Sequence, residues 1–437
     1  MKNVLSILCL LLLCWTGSFA QQINYENSLE KAEKLARKEN KILALLIASE
    51  SPTNSAEILP ALKDPNITAK FNEHFVNFKI DRSDSASVRL VKKYYVKNFP
   101  VFIFINGKGR LLLKKTGNIP SHLISDMLDR AMDDERYLSG DKSTTFLKHY
   151  INKRISRGIT NNAKQIEEYV NGLSPENLNT YSEVLFILQA GPRIDGRANA
   201  LLNTNKNLID SVYKTELKNV TADINTRMIA NTMASAIAHK KINRARVAAD
   251  FTRWSLREKS PLIGQEEWDG KLLQYYYGVK DTKSVLRHTV NYYDTYYMNV
   301  GVDSIRKRDE KNRAITRSYG KELAASGKRS GADIRSRGYT YGSLEYSMML
   351  NIGARSILAT ETKNHMFLSK AMSWSGRSVD LNPNSSNHDT LAHLQYRLGL
   401  YAVAEATLQK AIQMHTAANR DTTKMEEDLK KIKKRTL

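Results

Sequence analysis

Asn98-Phe99-Pro100-Val101-Phe102-Ile103-Phe104-Ile105-Asn106-Gly107-Lys108-Gly109, followed by Leu111-Leu112-Leu113-Lys114, is the stretch on which the fold turns. A proline opens it, and an apolar run of strand length, Val101 to Asn106, follows at once. Gly107-Lys108-Gly109 then separates that run from a second short strand, Leu111 to Lys114. Two such runs joined through glycines predict a β-hairpin.

Working outward, strands and helices alternate. Asn27 is placed to cap a helix from Ser28 to about Glu39, with Leu29, Ala32, Leu35 and Ala36 on one face. Ile42 to Ala48 is apolar throughout, as a strand covered on both faces requires. Helices are expected from about Ser55 to Leu62 and from Ile67 to His74. Phe75 to Ile80 alternates like a strand, and Ser85 to Val96 reads as a helix. After the hairpin, Ser121 to Asp134 closes the unit as an amphipathic helix. The order predicts a mixed sheet sandwiched by helices, an α/β domain over residues 21–137.

Three phrases make this domain resemble the thioredoxin fold, in particular exported thioredoxin-like proteins that open with a Lys-rich helix. They are Lys38-Glu39-Asn40-Lys41 before the central strand, Phe75-Val76-Asn77-Phe78-Lys79-Ile80-Asp81, and Asn98-Phe99-Pro100 with the strand and glycine turn after it. The resemblance implies that the proline before this strand carries a cis peptide bond and faces the active site, which makes Pro100 the candidate; the alternative is an ordinary trans proline at a strand start. Cis X-Pro bonds are uncommon enough to be deliberate.

The same resemblance implies a Cys-x-x-Cys after the first central strand, at a helix start that lowers a thiolate's pKa. Here Ser51 and Asn54 stand at those places, around Pro52 and Thr53. Both are good helix-start residues and poor redox groups, so Ser51 is expected to cap a helix. A serine nucleophile needs an adjacent base, and only Glu50 is near in sequence. Ser51, Asn54, Phe99 and Pro100 are therefore candidates for a degenerate active-site groove that binds rather than reacts.

Met1 to Ala20 reads as a secretory signal peptide: Lys2 at the start, an apolar run from Val4 to Trp15, and Ser18-Phe19-Ala20 at the cleavage-reading positions. That run is short of the ~20 residues that span a bilayer. The polar Gln21-Gln22 straight after it speaks against a buried amino-terminal helix, and a lipid anchor on Cys14 would want a small residue where Leu13 stands. Both cysteines, Cys9 and Cys14, lie inside this segment. A chain processed after Ala20 holds no thiol, so it forms no disulfide and performs no thiol–disulfide exchange. The expected location is periplasmic or extracellular.

With 67 Lys and Arg against 45 Asp and Glu, the net charge is +22. A surplus of this size attracts nucleic acid, acidic glycans or anionic headgroups. It is spread along the chain, as on a generally basic soluble surface, and thickens at Arg306 to Arg337 and Lys430 to Arg435. No second hydrophobic run reaches membrane length.

Beyond Leu138 the strand signal ends and helical periodicity takes over, so residues 138–437 are expected to be an all-α region. Asn162 to Val170 and Pro175 to Gln189 read as helices, the second with Ser174 as cap. Later helices come in pairs: Ala222 to His239 with Asn243 to Arg257, Glu266 to Tyr277 with Thr282 to Tyr297, Ser343 to Thr360 with Asn364 to Asp380, and Asp389 to Leu398 with Val403 to Met414. Around residues 365–416, Ala371, Pro383, Leu398-Gly399, Ala404 and Ala411 resemble a tetratricopeptide repeat, where small residues let two helices pack closely. One repeat cannot bury its apolar face alone, so a solenoid-like neighbourhood is implied.

Two local features stand out. Tyr275, Tyr276 and Tyr277 with Tyr292, Tyr293, Tyr296 and Tyr297 form a cluster suited either to packing between helices or to a binding surface. Ser318 to Tyr341 mixes glycines with Lys328, Arg329, Arg335 and Arg337, and reads as a long basic loop, disordered or able to contact an anion or partner. Enzyme signatures are missing: no His-Glu-x-x-His, no phosphate loop, no Gly-x-Ser-x-Gly, and His388 and His393 are badly spaced for one helix face. No metal or cofactor is expected. The reading is an exported, redox-inactive thioredoxin-like protein that binds protein or peptide as a scaffold or chaperone-like module. A basic polyanion-binding envelope protein and a hydrolase hidden in the helical region are the alternatives.

Overall fold

In the computed structural model, which describes residues 22–48, 61–117, 119–256, 260–325 and 342–437, the run Ile42–Ala48 forms strand β1 and is buried along its whole length. Period-two geometry divides its side chains between two cores. Ala44, Leu46 and Ala48 share one with Phe102 and Phe104, while Leu43, Leu45 and Ile47 share the other with Val101, Ile103 and Ile105. Strand β2 (Phe75–Asp81) pairs parallel to β1, and β3 (Val101–Ile105) pairs antiparallel on its other side. Strand β4 (Leu111–Thr116) completes the expected hairpin at the sheet edge, giving the order β2-β1-β3-β4. Gly109 takes a φ of 81° in the turn, a left-handed conformation that costs glycine little.

Helices cover both faces. Helix α1 (Leu29–Glu39) buries Ala32 and Ala36 on the Leu43 side. Its cap is Ser28, whose hydroxyl accepts from the Lys31 amide at 3.2 Å, one residue after the expected Asn27, because Ser28 is the last residue with extended backbone. Helix α2 (Pro65–His74) lies on the opposite face, capped by Asp64, and places Ile67 and Phe71 beside Phe75 and Phe102. Helix α3 (Ser85–Lys93) packs Leu90 on the α1 side. It ends earlier than the Val96 expected, and Tyr95 adopts a φ of 49° just beyond it. Helix α4 (Ser121–Leu138) sets Ile124, Met127, Leu128 and Ala131 against the Phe102 core. This mixed four-stranded sheet flanked by helices fits a thioredoxin-like fold.

The first compact unit runs on to Arg157 and takes in Glu168–Leu173, beyond the Leu138 boundary read from sequence. Helix α5 (Thr144–Ser156) is held to α4 by aromatic and charged contacts. Tyr150 stacks on Tyr137 at 5.0 Å and donates to Asp134 at 2.6 Å. Arg157, its side chain mostly buried, lies 3.0 Å from Asp126 and 3.6 Å from Asp133.

The second unit comprises Gly158–Glu167 and Ser174–Leu437 and is helical among the described residues. Its helices include α6 (Ala163–Asn171, whose last residues belong to the first unit), α7 (Tyr181–Ala190), α8 (Arg197–Leu202), α9 (Lys206–Thr215), α10 (Lys218–Ala238) and α11 (Ile242–Ser255). There follow α12 (Pro261–Gly278), α13 (Thr282–Tyr296), α14 (Val302–Ala325), α15 (Gly342–Leu358), α16 (His365–Leu381), α17 (Ser385–Arg397), α18 (Tyr401–Ala417) and α19 (Thr423–Lys434). The helix expected from Pro175 to Gln189 is two elements. Ser174 and Asn177 close a capping box over a single 3-10 turn, Pro175–Leu178, and Thr180 then caps α7. The basic loop expected from Ser318 is helical as far as Ala325, and residues 326–341 lie outside the described residues. The small residues picked out by sequence are fully buried: Ala371 in the core around Trp374, and Ala404 and Ala411 in the core that receives Ile432 from α19. Gly399, at a φ of 81°, lies in the short turn between α17 and α18. No helix among the described residues is long and apolar enough to cross a membrane.

One long-range cap fixes the start of α15. Asp309 of α14, almost fully buried, accepts from the amides of Gly342 at 2.6 Å and Ser343 at 2.9 Å and from the Ser343 hydroxyl. Burial pushes this carboxyl up, but the bonds from Ser343 and Gly342 outweigh it and hold it below the usual carboxylate range. Loss of such a cap costs about 1–2 kcal/mol, and Asp309→Ala is expected to destabilise the chain by that order in urea denaturation. Because the folded pKa is lowered, the contribution is present at neutral pH and is lost as pH falls through the carboxylate range. The difference between wild type and variant should therefore shrink toward acid pH.

Candidate functional site

The strand registers bring three chain ends to one edge of the sheet. Ala48 at the end of β1 lies opposite Asp81 at the end of β2, and Ile47 lies opposite Val101 at the start of β3. Phe99 and Pro100 sit directly before Val101, and the bond between them is cis, as the resemblance implied. The Pro100 carbonyl accepts from the Gly117 amide at 2.8 Å, which ties the loop to the end of β4. Asp81 is turned into its own loop, accepting from the Ser83 amide at 2.7 Å and the Ser83 hydroxyl at 2.5 Å. Ser51 and Asn54, the other half of the expected groove, lie outside the described residues, as do Arg329, Arg335 and Arg337.

Residues that sequence reading did not single out shape the rest of this edge. The Arg82 guanidinium lies over the Phe99 ring, 4.7 Å from its centre. Lys114, on the edge strand, donates to the Tyr94 carbonyl at 2.8 Å and to the Tyr95 carbonyl at 3.3 Å. It thereby holds the segment between α3 and Pro100, in which Tyr95 is 83 % exposed. From Lys79 to Lys115 the sequence carries ten Lys and Arg against two Asp, a net +8. That local excess is visible in the sequence; the fold brings Arg82 and Lys114 to the proline loop, while Lys108 and Arg110 lie in the hairpin turn at the far end of β3.

The tyrosine cluster packs between helices rather than forming an open surface. Tyr275, Tyr293 and Tyr297 are buried, and Tyr293 lies against Trp374 at 5.4 Å. The hydroxyls end on carboxylates: Tyr297 donates to Glu266 at 2.7 Å and Tyr296 to Asp269 at 2.6 Å. Burial, with Glu266 nearby, pushes Tyr292 up to about 12, so the ring stays neutral at any physiological pH. His388 is buried with Nδ1 2.9 Å from the Asn384 carbonyl, whereas His393 opens on a cavity; the two do not form one site.

No protein-family model matches the chain, and no curated protein matches it. Solved structures do overlap it, over about a quarter of its length. A solution structure of a candidate disulphide-isomerase from Bacteroides thetaiotaomicron is 27 % identical, with 26 % of this chain and 97 % of that one covered, at a TM-score of 0.24. A thioredoxin from Thermus thermophilus is 18 % identical, with 26 % and 88 % covered and a TM-score of 0.24. A DsbH oxidoreductase is 16 % identical, with 27 % and 90 % covered and a TM-score of 0.22. The fold assignment stands on strand order and register, not on these overlaps.

Among the described residues, Lys114 is the one side chain that bonds both carbonyls of the Tyr94–Tyr95 turn. A hydrogen bond from a charged donor is worth about 1.5–3 kcal/mol when buried, and less at a half-exposed site. Lys114→Ala is expected to lower stability by ~1 kcal/mol. In the same variant, amide exchange at residues 95–98 should speed up while exchange in β1 does not change.

Proposed function

We propose that this chain is an exported, redox-inactive thioredoxin-like protein that holds extended polypeptide at the proline loop and uses its helical region as a second binding surface. What carries the reading is one arrangement. The loop before β3 is fully constructed, with Pro100 bonded to Gly117, Arg82 over Phe99 and Tyr95 held outward by Lys114. Yet both cysteines lie within Met1–Ala20, the segment read as a signal peptide. A chain processed there keeps the part of the fold that meets a polypeptide and lacks the thiolate that exchange requires.

Both edges of β3 are taken by β1 and β4, so an extended segment would lie along the loop before it and be recognised there by main-chain hydrogen bonds, with neighbouring side chains supplying selectivity. The exposed Tyr95 provides an amphipathic anchor of the kind enriched at interfaces. Arg82, over the Phe99 ring, favours acidic segments. In the second unit, helices α15 to α18 are successive, closely packed and separated by short turns, with alanines at their contacts. That supports a tetratricopeptide-like pairing whose faces are free to hold a partner segment.

Two measurements test this with the chain processed after Ala20. Insulin disulfides in dithiothreitol should be reduced at the uncatalysed rate; acceleration by the protein would end the redox-inactive reading. Reduced, carboxymethylated lactalbumin, an unfolded acidic chain, should bind in fluorescence anisotropy, and Tyr95→Ala and Arg82→Ala should each weaken it about tenfold. If instead nucleic acid binds more tightly, is released by salt alone and is indifferent to Tyr95→Ala, the basic surface is the function and the loop is not.

A further inference from the structure

Helices α15, α17, α18 and α19 line a cavity of about 390 Å³ in the second unit. Its size is at the small end of the range for ligand pockets. Arg355 comes from α15, Asp389 and His393 from α17, and Lys424 and Asp428 from α19. Their pairing is incomplete in a particular way. His393 Nδ1 lies 2.9 Å from the Asp389 backbone carbonyl, an acceptor, so this nitrogen carries the proton and donates there. The ring's other nitrogen faces Asp428 at 3.6 Å, and Asp428 also meets Lys431 at 3.3 Å. Asp421 at the rim is occupied by the Thr423 amide and hydroxyl.

What remains is one anion and two cations. The Asp389 carboxylate has no hydrogen-bond donor among the described residues; its nearest neighbour is His393 Nδ1 at 3.5 Å, already committed. Burial pushes this carboxyl up, opposed by His393, Lys424 and Arg355. Arg355 and Lys424 make no ion pair or hydrogen bond among the described residues. Asp389 is half-buried, where a charge without a hydrogen-bond donor is costly, while Arg355 and Lys424 are exposed to solvent and line the same space. A pure anion would meet Asp389 and Asp428, and a pure cation would meet Arg355 and Lys424. Leu358 and Met425 add an apolar wall.

We propose that this cavity binds a small zwitterion, a free amino acid or a dipeptide, with its ammonium on Asp389, its carboxylate on Arg355 and Lys424, and an aliphatic side chain against Leu358 and Met425. The site lies in the second unit and does not rest on the proline loop.

The test is calorimetric titration of the full processed chain with leucine and with glycyl-leucine, whose comparison separates the two sources. N-acetyl-leucine lacks the ammonium and leucinamide lacks the carboxylate. Leucine or glycyl-leucine should bind, and each blocked form should bind about tenfold to hundredfold more weakly, the worth of one charged hydrogen bond. Asp389→Asn should abolish the discrimination between leucine and N-acetyl-leucine. Lys424→Gln, at an exposed position, should weaken leucine without disturbing the circular dichroism spectrum. Absence of heat from both leucine and glycyl-leucine at millimolar concentration, or equal binding of the acetylated form, would overturn the proposal.

Discussion

Burial of β1 on both faces is the constraint to which the rest of the first unit answers. A strand with seven consecutive buried residues has no side available to water. It must therefore have hydrogen-bonded neighbours on both edges and helices over both faces; it has β2 on one edge and β3 on the other, with α1 and α3 over one face and α2 and α4 over the opposite face. Period two makes the register unforgiving, because a slip of one residue would exchange Leu43, Leu45 and Ile47 for Ala44, Leu46 and Ala48. The first set is bulky and the second contains two alanines, so the two cores are not interchangeable. The alanines leave room for Phe71, Phe75, Phe102 and Phe104, which pack around one another on that face. Once this register is set, the ends of β1 and β2 and the start of β3 have only one place to meet. The proline loop is at that place as a consequence of core packing.

This is also why the sheet was readable in advance and much else was not. A doubly buried strand, a glycine hairpin and a proline before a strand are local signals, each written within a dozen residues. The cap of α1 was misplaced by one residue because Asn27 and Ser28 are both competent caps, and only backbone geometry chooses between them. The Pro175 segment split because Ser174 and Asn177 close a self-contained turn, leaving Thr180 free to start α7 again. Helix α5 was missed as part of the first unit because what holds it there is remote: Tyr150 reaches Asp134, and Arg157 reaches Asp126 and Asp133. Asp309 lies in a basic stretch, and nothing local links it to Gly342 and Ser343, more than thirty residues on. In the candidate groove, Phe99 and Pro100 were legible as a motif. Arg82 and Lys114 were not, since nothing local links them to a loop at residues 94–100.

The tyrosines connect the charge of the chain to its packing. Tyr150, Tyr181, Tyr296 and Tyr297 donate to Asp134, Glu216, Asp269 and Glu266, and Trp374 and Trp268 donate to Asp294 and Asp250. Each of these bonds gives a carboxylate a neutral donor; Asp134, Asp250 and Asp294 also meet Arg130, Arg253 and Lys370, whereas Glu216, Asp269 and Glu266 have no Lys or Arg ion pair among the described residues. On the proposed reading, the basic surplus supplies long-range attraction for acidic chains, and Phe99 and Tyr95 supply the short-range contacts.

The cavity between α15 and α19 runs against that pattern and is informative for that reason. At several other helix contacts an acid has a donor brought to it by packing, as Asp294 has both Trp374 and Lys370 and Asp269 has Tyr296. Asp389 has room beside it instead, and two cations across that room that do not close on it. Lys424 and Arg355 are exposed and long enough to reach Asp389, and they act on it through space without closing on it. That they stand off, with His393 locked by its backbone bond and unable to substitute, is what a space kept for a third, doubly charged participant requires.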